Sequence, residues 1–346
     1  MVRGSPAGAR IGRTGRGAAA SVRRLLGPAA LAALALGPGT AVGTAAAGSA
    51  GAVTPTVASP TSAPGTPPGI ACATTPDSPR DGEFVSASAA SGGVRATLTG
   101  TAVTSEGLPA FRAAMLRISG GGVAPSDQSV PAPQTAGDVQ LESLADSQMS
   151  NPIRPLCVVA LNGGAVPTVL VGFYTGGAHC CTVIRAYSES GGRWTSLDRA
   201  IGDPGVQVRE VGGSPAIVTA DDSFSYEFTD YAASGDPVEV LTVDHGTFRN
   251  VTRQFPAIVT ADAAHWWAAY EKYPQEGLGL LAAWAADRCE LGQHAQVVAT
   301  LGSLQARHRL GANRTAAQSA PFWPSGSGYV AALTSFLAQH GYCPPG

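Results

Sequence analysis

The chain has 346 residues, a formal net charge of −2 and 13% charged residues. This balance lacks the basic bias of a nucleic-acid-binding protein, and the length allows two or three domains. Lys272 is the sole lysine beside abundant Arg, Ala, Gly and Pro, a pattern of a GC-rich bacterial genome. Many glycines among short apolar runs favour a β-rich body with frequent turns.

Residues 1–47 read as a secretory signal peptide. Arg3, Arg10, Arg13, Arg16, Arg23 and Arg24 make a positive start without an acid, and an apolar stretch runs from Leu25 to about Val42. Small residues around Ala45 and Ala47 then offer cleavage. Pro28 and Pro38 break the apolar stretch, so it is too short to remain in a bilayer as a helix, and no stable membrane anchor is expected after cleavage. Residues 48–71 are rich in Ala, Thr, Ser and Pro, bury almost nothing, and are expected to form a disordered linker. The expected location is extracellular, free or held at the cell wall.

From Phe84 to Val251 short β-type runs alternate with Gly, Pro, Asp and Ser turns. The runs are Phe84–Ala87, Val94–Leu98, Ala113–Ile118, Val139–Leu144, Leu156–Leu161, Val169–Tyr174, Val183–Tyr187, Val206–Val211, Ile217–Ala220, Ser225–Phe228, Val238–Val243 and Phe248–Val251. A weak internal repeat joins two regions. Asn162–Val169 parallels Val211–Val218, each with Gly-Gly before Pro and an apolar run. Gly192–Arg199 parallels Gly246–Arg253, each with an aromatic, an apolar residue three on and Arg two beyond. A period near 50 residues is that of a four-stranded propeller blade.

At about Phe255 the pattern becomes helical. Thr260-Ala261-Asp262 is expected to cap a helix carrying His265, Trp266, Trp267, Tyr270 and Tyr273. Leu278, Leu281, Ala282, Ala285 and Cys289 then follow at helical spacing. Val297, Val298, Leu301 and Leu304 make a third helix, and Tyr329, Val330, Leu333, Phe336 and Leu337 a fourth. Gly341 is a natural end signal, and Pro344-Pro345 bars continuation.

Six cysteines behind an export signal argue for disulfides. Cys289 and Cys343 both lie in the helical part and are expected to pair, closing a loop of about 55 residues worth about 4 kcal/mol in the chain-entropy model. Cys180 and Cys181 are adjacent. Two schemes stand level: Cys72–Cys157 with a strained vicinal bond, or Cys72 and Cys157 each taking one of the adjacent pair.

The densest segment is Tyr174-Thr175-Gly176-Gly177-Ala178-His179-Cys180-Cys181-Thr182, which ends one strand, turns through two glycines and starts another. This TGGAHCC string follows an apolar strand, with a Gly/Asn turn and Pro ahead of it. It resembles a group of uncharacterised secreted bacterial proteins related to FG-GAP/VCBS-type β-propeller repeats. The resemblance covers roughly Leu156 to Arg253 and includes Thr219–Phe224 in the second copy. It implies a propeller-like architecture and, in many relatives, an Asp-x-Asp-x-Asp-Gly loop holding calcium. The matching loops here, Ala160–Ala165 and Glu210–Ser214, supply almost no carboxylate, whereas calcium takes about six to eight oxygens. Neither calcium nor another cofactor is expected, and the family transfers no activity.

His179 beside Cys180-Cys181 admits a nucleophile pair, a soft metal site or a redox dithiol. Outside the cell a free thiolate tends to oxidise, and two of four metal ligands are missing locally. The bland reading, a turn closed by disulfide with His179 donating a hydrogen bond, is preferred, and no metal is expected. Asp221 and Asp222, with Glu227 and Asp230, form an acidic cluster that would suit glycoside hydrolysis. Adjacent strand residues point to opposite faces, however, and a solvated turn is preferred. Trp266, Trp267, Trp284 and Trp323 suit either sugar stacking or the core of the helical part.

The sequence therefore predicts a mainly β domain (72–255), propeller-like or a sandwich of short antiparallel strands, followed by a C-terminal α-helical unit (256–346). The expected function is a non-enzymatic extracellular binding or interaction module for an extracellular protein or cell-envelope component. The alternative is an extracellular hydrolase or metal-dependent enzyme centred on the TGGAHCC turn. The candidate binding residues are Thr175, Gly176, Gly177, His179, Asp221 and Asp222.

Overall fold

The computed structural model describes residues 69–343, except 76–78, 106–107, 134–137, 145–152, 162–163, 178–181, 275–276 and 312–322. The expected leader, residues 48–68 of the expected linker, His179, Cys180, Cys181 and Pro344-Pro345 lie outside the described residues.

Among the described residues, three antiparallel sheets precede four helices. The first sheet runs β2 (Phe84–Ser91), β3 (Val94–Ser105), β4 (Leu108–Gly120) and β5 (Val123–Ser129), with the short β6 (Val139–Gln140) also on β4. The second runs β1 (Ile70–Ala73), β7 (Leu156–Val159), β8 (Thr168–Tyr174), β9 (Thr182–Ser190) and β10 (Arg193–Gly202). The third runs β11 (Gln207–Val211), β12 (Ser214–Ala220), β13 (Val238–Asp244) and β14 (Thr247–Asn250).

Strand alternation shows how the sheets stack. On β2 only every second residue, Val85, Ala87 and Ala89, is buried, whereas β7 is buried at every position and β8 from Thr168 to Phe173. Successive side chains leave a strand on opposite faces, so the second sheet is covered on both sides. Val158, Val171 and Phe173 meet Leu98, Leu116 and Ile118 of the first sheet in one core. Cys157, Leu170 and Ile184 meet Val208, Ile217 and Leu241 of the third sheet in another. The outer face of the third sheet, with Val211, Val218 and Val240, packs on Phe255 and Ile258. Each fully buried aliphatic side chain in these layers contributes roughly 1.5–3 kcal/mol.

The stack corrects the propeller expectation, because among the described residues no ring of blades closes. The face on which a further blade would pack is covered instead by the start of the helical part. The internal repeat nevertheless has a place in space. Gly164–Val169 runs into the start of β8 and Gly213–Val218 opens β12, and Gly192 and Gly246 form the turns before β10 and β14.

Four details of the strand reading differ from expectation. Ile70–Ala73 is a strand rather than the end of a linker, held by pairing with β7 and by the Cys72–Cys157 disulfide across that ladder. Strands β5 and β10 are mostly solvated along their length, so they lack the apolar runs that mark a strand in sequence. Ser225–Phe228 is not a strand: Phe224 and Phe228 point into the helical core from an irregular loop.

The helices are α1 (Pro256–Lys272), α2 (Leu278–Glu290), α3 (His294–Ala306) and α4 (Gly326–Gln339). Helix α1 starts earlier than expected because Pro256 suits the first turn, where its missing N–H costs nothing. Asp262 is thus inside the helix rather than its cap; its carboxylate accepts from Val238 N at 2.9 Å and from Trp266 Nε1 at 2.9 Å, pinning α1 to β13. Helix α2 is buried on nearly all sides and forms the centre of the helical core. Cys289 on α2 is bonded to Cys343 beyond α4.

Candidate functional site

The ladders bring the β8–β9 turn and the acidic loop to one end of the stack. Tyr174, Thr182 and Gly202 are register neighbours on β8, β9 and β10. Tyr174 and Gly202 are thus two ladder spacings apart, about 10 Å. The turn after Tyr174 needs glycine at Gly176 (φ +84°) and Gly177 (φ +133°), and the Tyr174 hydroxyl donates to the Gly177 carbonyl. At the other strand, Asp203 N donates to Asp222 Oδ1 at 3.2 Å. Gly202 is obligatory there, since a Cβ would lie 2.2 Å from Asp222 Oδ2. Asp222 therefore stands at the same sheet end as Thr175, Gly176 and Gly177.

Asp221 and Asp222 diverge. Asp221 caps the 3-10 turn Asp222–Phe224 by accepting from Ser223 N at 3.0 Å, and its other oxygen accepts from Tyr342 Oη at 2.7 Å. Asp222 instead serves the second sheet through Asp203. Asp236, at the far end of the same loop, accepts from Ser225 Oγ at 3.2 Å. Burial pushes Asp236 up to about 6, and the charges of Asp222, Asp221 and Asp203 push the same way. Glu239 on β13 is raised by burial, offset by Arg199, whose Nη2 donates at 3.1 Å. The acids of this region hold a joint between the second sheet, the third sheet and the helical part.

One pair at the joint has the types needed for nucleophilic catalysis. Ser223 Oγ and His340 Nδ1 are 3.5 Å apart, and the imidazole stacks on Phe336 at 4.0 Å. No local pattern signals the pair, because 117 positions separate the two residues and the Thr219–Phe224 stretch that holds Ser223 has no histidine near it in sequence. A working triad also needs an orienting acid on the other ring nitrogen and free donors for an oxyanion. Among the described residues no carboxylate is hydrogen-bonded to that nitrogen. The nearby amides of Ser223, Phe224 and Ser225 already donate to Asp221 Oδ1, Asp221 O and Asp222 O.

The tryptophans separate by exposure. Trp284 is buried, Trp266 and Trp267 pack on the helical core, and Trp267 meets Trp284 at 5.0 Å between ring centres. Trp323 is partly exposed and donates Nε1 to the Tyr226 carbonyl at 2.8 Å. Tyr226 has φ +65° and is 50% exposed. The left-handed region costs a bulky L-residue on the order of 1–2 kcal/mol, and such strain concentrates at functional sites. Loop residues 225–236 carry it: Tyr226 N donates to Ser234 Oγ at 3.0 Å, and Ser234 Oγ donates to the Asp230 carbonyl at 3.0 Å.

A second acidic contact lies inside the helical part. Asp287 on α2 is fully buried and its carboxyl meets that of Asp262 on α1. No N–H or O–H of a neighbour reaches either oxygen. Burial, then the Asp262 charge and hydrogen bond, push Asp287 up to about 10, so it carries its own proton. A cavity of about 630 Å³, lined by Gln305, His308, Ser325 and Ser327, opens at the start of α4. It lies the length of that helix, about 20 Å, from His340. Among the described residues no group of three or more His, Cys, Asp or Glu is arranged to hold a metal ion. No described helix is long and apolar enough to cross a membrane.

No family model matches the chain, and no solved structure matches it. A stretch of 83 residues, 23% of this chain, is 34% identical to 13% of an uncharacterised protein of Sinorhizobium fredii. A longer stretch of 174 residues, 44% of this chain, is 26% identical to 48% of a probable thylakoid lumen protein of Synechocystis. The chain spans about an eighth of the first relative's length and about half of the second's.

Proposed function

We propose that this chain is an extracytoplasmic binding module without catalytic turnover, for an extracellular protein or cell-envelope component. On this reading the β-stack is a sandwich-like scaffold related to the FG-GAP/VCBS repeats, and its working end carries the β8–β9 turn and the 221–237 loop. The observation that carries the proposal is the engagement of the candidate acids: Asp221 holds Ser223 N and Tyr342, Asp222 holds Asp203 N, and Asp236 holds Ser225. Loops fixed on a rigid scaffold are the usual seat of binding. The disulfides Cys72–Cys157 and Cys289–Cys343 suit an oxidising compartment. The name of the Synechocystis relative supports the same side of the membrane.

The competing reading is an extracellular hydrolase, and the Ser223–His340 pair is what favours it. A serine-reactive fluorophosphonate probe on the purified secreted chain separates the two. The module reading expects no covalent labelling and no turnover of ester, peptide or glycoside substrates. Labelling that disappears in Ser223→Ala would overturn it.

A further inference from the structure

The cavity of about 630 Å³ between the end of α3 and the start of α4 falls within the roughly 300–1,000 Å³ of small-molecule sites. Buried Leu310 forms part of its wall, and Gln305, His308, Ser325 and Ser327 bring polar groups to it. None of these four side chains is hydrogen-bonded to another described residue. The acids of the joint, by contrast, are held by their neighbours. Two residues on the cavity wall run against local preference. Gly302 lies inside α3, where glycine weakens a helix, yet a Cβ there would meet nothing within 4 Å. Packing does not require the missing side chain; its absence keeps the cavity open. His308 is exposed and has φ +55°, a left-handed backbone uncommon in a residue with a Cβ. Departures of this kind gather at functional sites.

We propose that this cavity binds a small anionic ligand by its carboxylate or phosphate group, at a site separate from the joint. The formal charge of this part of the chain has one sign. From Leu291 to Gly346 the sequence carries Arg307, Arg309 and Arg314 and no Asp, Glu or Lys. Arg307 and Arg309 flank His308, both are exposed, and neither is paired with a described acid. Opposite charges attract over this range, so an anion is drawn to the cavity mouth. The Ser325 and Ser327 hydroxyls, the Gln305 amide and a ring N–H of His308 can all donate, and bonds to an ionised oxygen are stronger than those between neutral groups. No carboxylate lines the cavity to hold a cation. The volume is far larger than a bare phosphate ion, so the anionic group is carried on a larger body, of the size of a phosphorylated or oxidised sugar. The inference does not depend on the module reading, whose working end lies beyond the opposite end of α4.

The test is calorimetric titration of the full secreted chain with glucose 6-phosphate, glucuronate, neutral glucose and cationic glucosamine. The wild type is expected to bind at least one of the two anionic sugars and neither of the others; the anion preferred tells phosphate from carboxylate. His308→Gly is expected to bind that anion at least about tenfold more weakly with an unchanged or higher melting temperature, because glycine adopts the left-handed backbone without strain. Gly302→Leu, a better helix former with room for its side chain, is expected to fill the cavity and weaken binding likewise without loss of stability. Failure of both anions to bind, binding of glucose or glucosamine as tight as that of the anions, or undiminished binding by both variants would each overturn the proposal.

Discussion

Tyr342, in the last turn of the described chain, donates its phenolic hydrogen to Asp221 at 2.7 Å and so ties the helical part to the loop that follows β12. The same junction is held by Arg253, whose Nε donates to Glu290 at 2.8 Å and whose Nη2 donates to the Gly341 carbonyl at 2.7 Å. Phe224 and Phe228 complete the helical core from the β side. The helical part is thus built onto the stack rather than standing beside it.

Tyr342→Phe removes that bond and leaves a half-buried carboxylate oxygen without its donor. A loss of about 1–2 kcal/mol in urea unfolding is expected. Combined with Asp221→Ala, the double mutant should be less destabilised than the sum of the two by about 1 kcal/mol. Full additivity would show that the two groups do not interact.

Asp287 makes the stability of the fold depend on pH. The unfolded chain ionises this carboxyl near its ordinary value of 3.8, while the folded chain keeps the proton up to about 10. Unfolding therefore releases a proton across that window, and stability falls as pH rises. The buried Glu142, pushed up to about 7, and Asp236, pushed up to about 6, act in the same direction over the lower part of the range. The melting temperature is expected to decline from about pH 5 to about pH 9. Asp287→Asn can still donate to Asp262 and does not ionise. It should raise the melting temperature at alkaline pH and flatten the decline; an unchanged slope would mean that the Asp262–Asp287 contact is not held by a proton.

The cysteines give a covalent prediction. Replacing Cys289 and Cys343 together by alanine frees a connection spanning 54 positions, at a cost of about 4 kcal/mol. Since Cys72 is bonded to Cys157, the scheme with a vicinal Cys180–Cys181 bond is the one expected. In non-reducing peptide mapping their peptide should resist alkylation until reduced. Alkylation beforehand would reveal a free thiol beside His179 and revive the nucleophile and metal readings of that turn.

The β-then-helix order is legible in the sequence because the core strands β7 and β8 are nearly continuous apolar runs, β13 is rich in Val and Leu, and α2 has a clear helical spacing. The solvated strands β5 and β10 carry no such signal, and their existence follows from pairing with β4 and β9. The period near 50 residues reported two meanders, not a closed ring, because a local repeat says nothing about what covers the last face. The TGGAHCC turn and Asp222 meet at one sheet end only through the β8–β9–β10 register. Ser223–His340 and Tyr226–Trp323 are contacts across long separations, which no local pattern encodes. The positive φ of Tyr226 was invisible for another reason: the residue type argues against it, and Ser234 and Trp323 impose it.

The most direct test of the central claim is to incubate the purified chain with insoluble envelope material, then measure both the protein retained and the fragments released. Saturable co-sedimentation without soluble products is the outcome expected of a binding module. Release of soluble fragments that stops in Ser223→Ala or His340→Ala would contradict it and make the junction an active site.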